Sequence, residues 1–276
     1  MPHPRDLARH LLARYHIRVS KRLGQHFLVD PNVLDQILAS AALTPADTVI
    51  EVGPGLGFLT RALARQAGRV IAVEIDRRMV ALLGETLAGV KTVQVVPADI
   101  LTVDPTALAG GRYLVVANLP YAITSAVLRH FLEAPQPPER MVVMVQKEVA
   151  QRITSRPGNM SLLAVSVQVY GVPRLVATVP PSAFLPAPEV ASAIVRIDLH
   201  PQPLVPQPER EAFFRVVSAG FSHPRKQLHN ALAQSLWFAP GGATRALEAA
   251  GIDPMRRAQT LSIEEWLRLS RTIFPP

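Results

Sequence analysis

From about Thr48 to Leu199, short runs of Val and Ile alternate with amphipathic stretches, and the early runs end on acidic or amide residues. Runs with no internal alternation suit strands buried on both faces, and the stretches between them supply the covering helices. The pattern predicts a parallel sheet clad in helices, an α/β fold. Candidate strands are Thr48–Val52, Arg69–Glu74, Thr92–Val96, Tyr113–Ala117, Met141–Val145, Leu175–Val179 and Ala193–Leu199. Candidate helices are Phe58–Gln66, Arg77–Leu87, Ser125–Leu132 and Glu148–Ile153. Asp30-Pro31 reads as an N-cap followed by proline at the first helical position, opening a helix through about Ala41.

The pattern breaks at His200–Pro208, where alternating prolines favour an extended connection. Beyond it, Glu209–Ala219, Gln227–Leu236, Thr244–Ala249 and Ile263–Ile273 read as helices with no strand between them. The expected organisation is an N-terminal domain over 1–200, a Pro-rich linker over 201–208 and a small all-helical C-terminal domain over 209–276.

Composition narrows the function. The formal net charge of +8 favours a polyanionic partner. Its 29 basic residues include only the lysines Lys21, Lys91, Lys147 and Lys226; the rest are arginines, whose planar fork binds phosphate in bidentate fashion. The absence of cysteine excludes disulfides, thiolate zinc sites and cysteine nucleophiles, and no metal is expected. No apolar stretch reaches the ~18 residues of a membrane span, and the N-terminus lacks an apolar signal core. A cytoplasmic protein is therefore expected.

Function concentrates at the predicted strand ends. Glu51-Val52-Gly53-Pro54-Gly55-Leu56-Gly57 follows the first strand and opens a helix. Its glycines allow a tight turn and close approach of a ligand to the backbone. The spacing is G-x-G-x-G rather than the G-x-G-x-x-G of a pyrophosphate site. Glu51, two residues before the first glycine, is a poor neighbour for phosphate and suits a ligand bearing an amino group and a sulfonium, such as S-adenosylmethionine. Glu74 ends the second strand, where a carboxylate can take both ribose hydroxyls of an adenosine. Asp99 ends the third, within reach of an adenine amino group. Asn118-Leu119-Pro120-Tyr121 ends the fourth and combines an amide acceptor, a stiffened backbone and an aromatic face, a set suited to holding a planar amine-bearing base.

These motifs resemble those of the ribosomal RNA adenine dimethyltransferases, in particular the bacterial enzymes that dimethylate two adjacent adenosines near the 3′ end of small-subunit (16S) rRNA. The resemblance runs nearly end to end, through Leu23–Leu28, Glu51–Gly57, Glu74, Asp99, Asn118–Tyr121, Gln146–Glu148, Val179–Pro188 and Phe221–Leu232. It implies a class I (Rossmann-like) S-adenosylmethionine-dependent methyltransferase sheet with a helical appendage that recognises RNA. By the same resemblance His26 and Leu28 line the methionine end of the cofactor, and Gly53 contacts it through backbone. Glu74 holds the ribose, Asp99 the adenine, and Asn118 closes the site. The implied substrate is 16S rRNA within a 30S subunit or its precursor, and the implied enzyme is a monomer. His26 stands where asparagine is common, Met160-Ser161 where tyrosine and a small residue are expected, and Gln259 where glutamate is expected. A large-subunit rRNA adenine methyltransferase, or a non-catalytic nucleic-acid-binding assembly or transcription factor on the same fold, remains an alternative.

The chemistry follows from the target amine, whose lone pair is conjugated into the purine ring. The Asn118 side-chain oxygen and the Leu119 carbonyl are suited to accept its two hydrogens and aim the lone pair, with Pro120 fixing the backbone. Tyr121 is expected to stack on one face of the adenine. By resemblance Phe184 covers the other. Arg5, Arg9, Arg14, Arg18, Lys21 and Arg22 near the N-terminus, and Arg225, Lys226, Arg256 and Arg257 in the tail, are candidates for following an RNA backbone.

Overall fold

The computed structural model describes residues 4–17, 19 and 25–275. Arg18, Lys21, Arg22, Leu23 and Gly24 lie outside the described residues. The chain forms two compact units, residues 1–150 with 173–199, and residues 151–172 with 200–276.

The first unit is built on a seven-stranded sheet. Its strands are β2 (Thr48–Val52), β3 (Arg69–Glu74), β4 (Val93–Pro97), β5 (Leu114–Asn118), β6 (Arg140–Gln146), β7 (Gly171–Val179) and β9 (Ser192–Leu199), in the order β4-β3-β2-β5-β6-β9-β7. Two further strands, β1 (Phe27–Leu28) and β8 (Phe184–Leu185), pair antiparallel with each other in a separate ribbon. The central strands β2, β3, β5 and β6 are buried nearly throughout, which is why they read as continuous apolar runs. After β4 the chain crosses back to lay β5 against the opposite side of β2, with Val49 beside Leu114. The strand order therefore reverses between β2 and β5, and the crevice at their C-terminal ends is where open α/β sheets bind ligands.

The helices of this unit are α1 (Pro4–Arg14), α2 (Pro31–Ala41), α3 (Phe58–Leu63), α4 (Arg77–Thr86), α5 (Pro105–Ala109) and α6 (Thr124–Leu132), followed by α7 (Lys147–Ile153). Asp30 caps α2 as expected, its carboxylate accepting from Asn32 N at 2.9 Å. Such a cap contributes about 1 kcal/mol. One expectation needs correction. The sheet is not wholly parallel, because β9 runs antiparallel to β6, with Gln146 opposite Ser192.

Arg5, Arg9 and Arg14 of α1 each find a partner within the unit, while Arg9 and Arg14 stay largely exposed. Arg5 donates to the Ser182 carbonyl, Arg9 pairs with Asp6 at 3.4 Å, and Arg14 pairs with Glu85 at 3.4 Å.

The second unit contains α8 (Leu162–Gln168), α9 (Arg210–Phe221), α10 (Leu228–Ser235), α11 (Gly242–Ala249) and α12 (Ile263–Ile273). Phe213, Val217, Leu232, Leu247, Trp266 and Leu269 form its buried interior. A Cβ on Gly220 of α9 would sit 2.4 Å from the Trp266 ring, so this helix crossing requires glycine. The proline-rich segment is anchored, with Leu204 N donating to Val169 O at 2.9 Å and Val205 fully buried. Ser262 and Glu265 form a capping box at the start of α12. Glu265 also holds Arg256, at 2.5 and 3.0 Å.

Candidate active site

The C-terminal ends of β2, β3 and β5 open on a cavity of about 220 Å³. Gly53, Gly55 and Gly57 all take positive φ, so the loop after β2 turns sharply. A Cβ on Gly55 would fall 2.9 Å from the Phe27 ring, whereas one on Gly53 would meet no protein atom within 4 Å. Gly53 thus exposes backbone to the cavity it lines.

Two carboxylates lie buried on this wall. Glu51 is only 1% exposed, and its Oε2 has no hydrogen-bond partner among the described residues. Burial pushes its carboxyl up to about 8; the neighbouring Thr60 hydroxyl opposes the rise and the like charge of Glu74 adds to it. Thr60 Oγ1 likewise has no hydrogen-bond partner among the described residues. A buried carboxyl of this kind is suited to a cationic ligand group, which would favour its ionised form. Glu74 is also pushed up by burial, against the N–H groups of Asp76 and Gly55 that favour its charge. Its Oε1 accepts from Asp76 N at 2.9 Å and its Oε2 from Gly55 N at 3.2 Å. A carboxylate has about four acceptor positions, so capacity remains for two more donors.

Asp76 caps α4, accepting from Arg78 N at 3.0 Å, and the Arg78 guanidinium holds its carboxyl below the usual range. Asp99 lines the cavity with Oδ1 accepting from Leu101 N at 3.0 Å, while Oδ2 has no hydrogen bond among the described residues.

Asn118 stands at the C-terminal end of β5. Its Nδ2 donates to the His26 carbonyl at 3.0 Å, which decides the orientation of the amide and leaves Oδ1 as the acceptor end. Leu119 N donates to Met144 O at 3.1 Å, pinning the next backbone unit. The His26 ring lies on the Tyr121 ring, centroids 5.8 Å apart and planes 22° from parallel, while His26 Nδ1 bonds Pro186 O at 2.9 Å. Tyr121 Oη meets the fully buried Ser192 Oγ at 2.7 Å. Ser192 reaches this edge because β9, antiparallel to β6, begins where the parallel strands end.

His26, Leu28, Gly53, Glu74, Asp99, Asn118, Leu119, Pro120 and Tyr121 therefore all line one cavity. Phe184 does not. Its side chain is fully buried with Leu28, Ile37 and Ile194, so in this conformation it offers no face to a base. The β1–β8 ribbon explains this, since Phe184 pairs opposite Leu28 and turns into the core. Ile75, Leu101 and Ser192 escaped the sequence reading. Ile75 lines the cavity while 56% exposed, an apolar residue between two acids that would have been the available signal. Ser192 had no sequence signal, because its partner is 71 residues away.

The ribosomal RNA adenine dimethylase family matches residues 17–274. The ribosomal RNA small subunit methyltransferase A of Dehalococcoides mccartyi (strain CBDB1) is 51% identical over 265 residues, covering 95% of this chain and 91% of its own. That of Moorella thermoacetica is 45% identical, covering 92% of each. Among solved structures, the 23S rRNA methyltransferase ErmE superposes with a TM-score of 0.72 at 32% identity, over 89% of this chain and 98% of that one. A dimethyladenosine transferase from Plasmodium falciparum gives 0.76 at 24% identity, over 88% and 96%, and so bears on the fold alone.

Proposed function

The chain belongs to the ribosomal RNA adenine dimethylase family, and on that premise we propose that it dimethylates the exocyclic amines of two adjacent adenosines near the 3′ end of 16S rRNA, with S-adenosylmethionine as methyl donor. The observation that carries the reading is the Asn118 amide, whose NH₂ is committed to the His26 carbonyl so that its oxygen is kept as a cavity acceptor. The full proposal is a monomer acting in the cytoplasm on a 30S subunit or its precursor. Residues 1–200 carry catalysis and the helices beyond 208 contact RNA.

The cavity residues fit S-adenosylmethionine. The orphaned buried oxygen of Glu51 matches its ammonium group, directly or through a water. The open backbone at Gly53 allows close approach. The remaining acceptor capacity of Glu74 suits the ribose hydroxyls, and Asp99 Oδ2 suits the adenine amine. His26 and Leu28 flank the methionine end. When bound, S-adenosylmethionine supplies a methyl group activated on a sulfonium centre.

The chain's own residues then hold the target. Asn118 Oδ1 and the Leu119 carbonyl accept the two amine hydrogens and draw them from the purine plane, which localises the lone pair. Positioning of this kind supplies at best about 7–11 kcal/mol. No strong general base is needed, because the nitrogen becomes acidic only after the methyl arrives, and its proton then leaves to solvent.

Radiolabelled S-adenosylmethionine offered with undermethylated 30S subunits, mature 30S subunits, free rRNA and 50S precursors tests the reading. Two adjacent dimethyladenosines in small-subunit RNA are expected. Modification of 50S RNA instead would favour the large-subunit reading, towards which the ErmE likeness at 32% identity points less strongly than the small-subunit relatives at 51%.

Ser192 is expected to act through Tyr121. Burial raises the Tyr121 hydroxyl pKa, the Ser192 bond opposes that rise, and the same bond fixes the ring plane. Ser192→Ala and Tyr121→Phe should each lower kcat about 3–10-fold, in line with a hydrogen bond worth about 1 kcal/mol. The double variant should be no worse than either single one. Additive losses in such a double-mutant cycle would break the link between the two residues.

A further inference from the structure

We propose that Trp237 is a stacking platform for an unpaired nucleobase of bound RNA, set beside a basic loop that holds the adjoining phosphates. The inference rests on the RNA-methyltransferase reading for the identity of the polyanion. The protein has two tryptophans, and they sit in opposite environments. Trp266 is fully buried, whereas Trp237 is 100% exposed. Tryptophan is a residue that folded proteins bury extensively, so a completely bare indole is informative.

The loop that carries Trp237 is anchored on both sides. Leu236 is buried and donates its N–H to Leu232 O at 2.8 Å, while Gly242 N donates to Ala239 O at 2.8 Å. Phe238 packs so closely on Gly242 that a Cβ there would lie 3.2 Å from it. Trp237 is thus displayed by a fixed turn between α10 and α11.

Cations lie on the segments that flank it. Ser222 Oγ bonds Ser235 Oγ at 2.8 Å, and Lys226 Nζ bonds Gln234 Oε1 at 2.7 Å. These bonds tie the segment 222–226 to the end of α10, immediately before Trp237. Arg225 is exposed and has no ion-pair partner among the described residues. The Arg245 guanidinium lies 3.1 Å from where a Gly241 Cβ would stand, at the α11 end of the same turn. An exposed indole on a turn whose adjoining segments carry Arg225, Lys226 and Arg245 matches single-stranded nucleic acid, which offers a phosphate chain and free base faces together. A duplex withholds those faces, and a protein partner that covered the indole would not need the cations.

Because Trp266 is buried, RNA-sensitive fluorescence reports on Trp237 in the full-length protein. Titration with a short single-stranded RNA should quench it, and a blunt duplex of the same sequence should quench it far less. Trp237→Ala should weaken single-strand binding about tenfold, with the slope of log K against log salt unchanged. Trp237→Phe should restore most of the affinity. Arg225→Ala with Lys226→Ala should instead flatten that slope by about 0.7–0.9 per lost phosphate contact. An indole unquenched at saturating RNA, wild-type affinity in Trp237→Ala, or a dimer that dissociates in Trp237→Ala would each overturn the assignment. Failure of the wild-type protein to methylate small-subunit RNA, with the Trp237 effect on RNA binding intact, would overturn the function reading alone. Normal methylation with an unchanged KM for the 30S substrate in Trp237→Ala would overturn the stacking role alone.

Discussion

Replacing Asn118 by alanine is expected to lower kcat for the first methyl transfer by about 100–1,000-fold, the loss typical of removing one preorganised hydrogen-bond partner from a reacting centre. S-adenosylmethionine affinity, measured separately by calorimetry, should change far less. In the proposed mechanism the variant loses the acceptor for one amine hydrogen, and it also loses the tie from Asn118 Nδ2 to the His26 carbonyl. Asn118→Asp separates the two effects, since a carboxylate accepts but has no N–H to give His26. It should fall between wild type and Asn118→Ala. The same hydrogen count explains why transfer stops at two methyls. The unmodified amine satisfies both acceptors, the monomethyl amine one, and the dimethyl amine neither. Each buried group left unpaired costs about 1–3 kcal/mol, which favours release of the dimethylated product. Mass spectrometry of digested RNA reads the outcome directly, and a normal yield of dimethyladenosine from Asn118→Ala would sink the mechanism.

Glu74→Ala is expected to raise the Kd for S-adenosylmethionine about 10–150-fold, since hydrogen bonds to a charged group contribute about 1.5–3 kcal/mol. The structure adds a second consequence. Glu74 accepts from the backbone N–H groups of Gly55 and Asp76, so alanine also leaves these donors unpaired at the cavity wall. A lower Tm should accompany the weaker binding. Glu74→Gln keeps the volume and one oxygen acceptor, and it should recover most of the Tm while recovering only part of the affinity. Unchanged cofactor affinity in a folded Glu74→Ala protein would remove this carboxylate from the ribose site.

Much of the candidate site was legible because its signals are local. Glu51, Glu74, Asp99 and Asn118 stand where runs of Val and Ile stop, and the first two predicted strands and the last helix match their predicted spans. Desolvation of a central strand and the φ demands of a glycine turn act over a few residues, so a linear string records them. The helix after the glycine loop stops at Leu63 rather than Gln66, as helix ends fray by a turn. The predicted bounds of β4, β5 and β6 and the start of β9 shift by one residue, and β7 begins at Gly171 rather than Leu175 because pairing at a sheet edge needs no apolar run. What the tertiary structure decided concerns pairs distant in the chain. The reversal of β9 brings Ser192 to Tyr121, and the β1–β8 ribbon turns Phe184 inward. Residues 151–172 join the helical unit, and Glu265 claims Arg256. The exposure of Trp237 beside the burial of Trp266 belongs here too. Whether an aromatic is buried, or a cation paired, depends on which surfaces the completed packing leaves to cover it, and no local pattern in the chain carries that information.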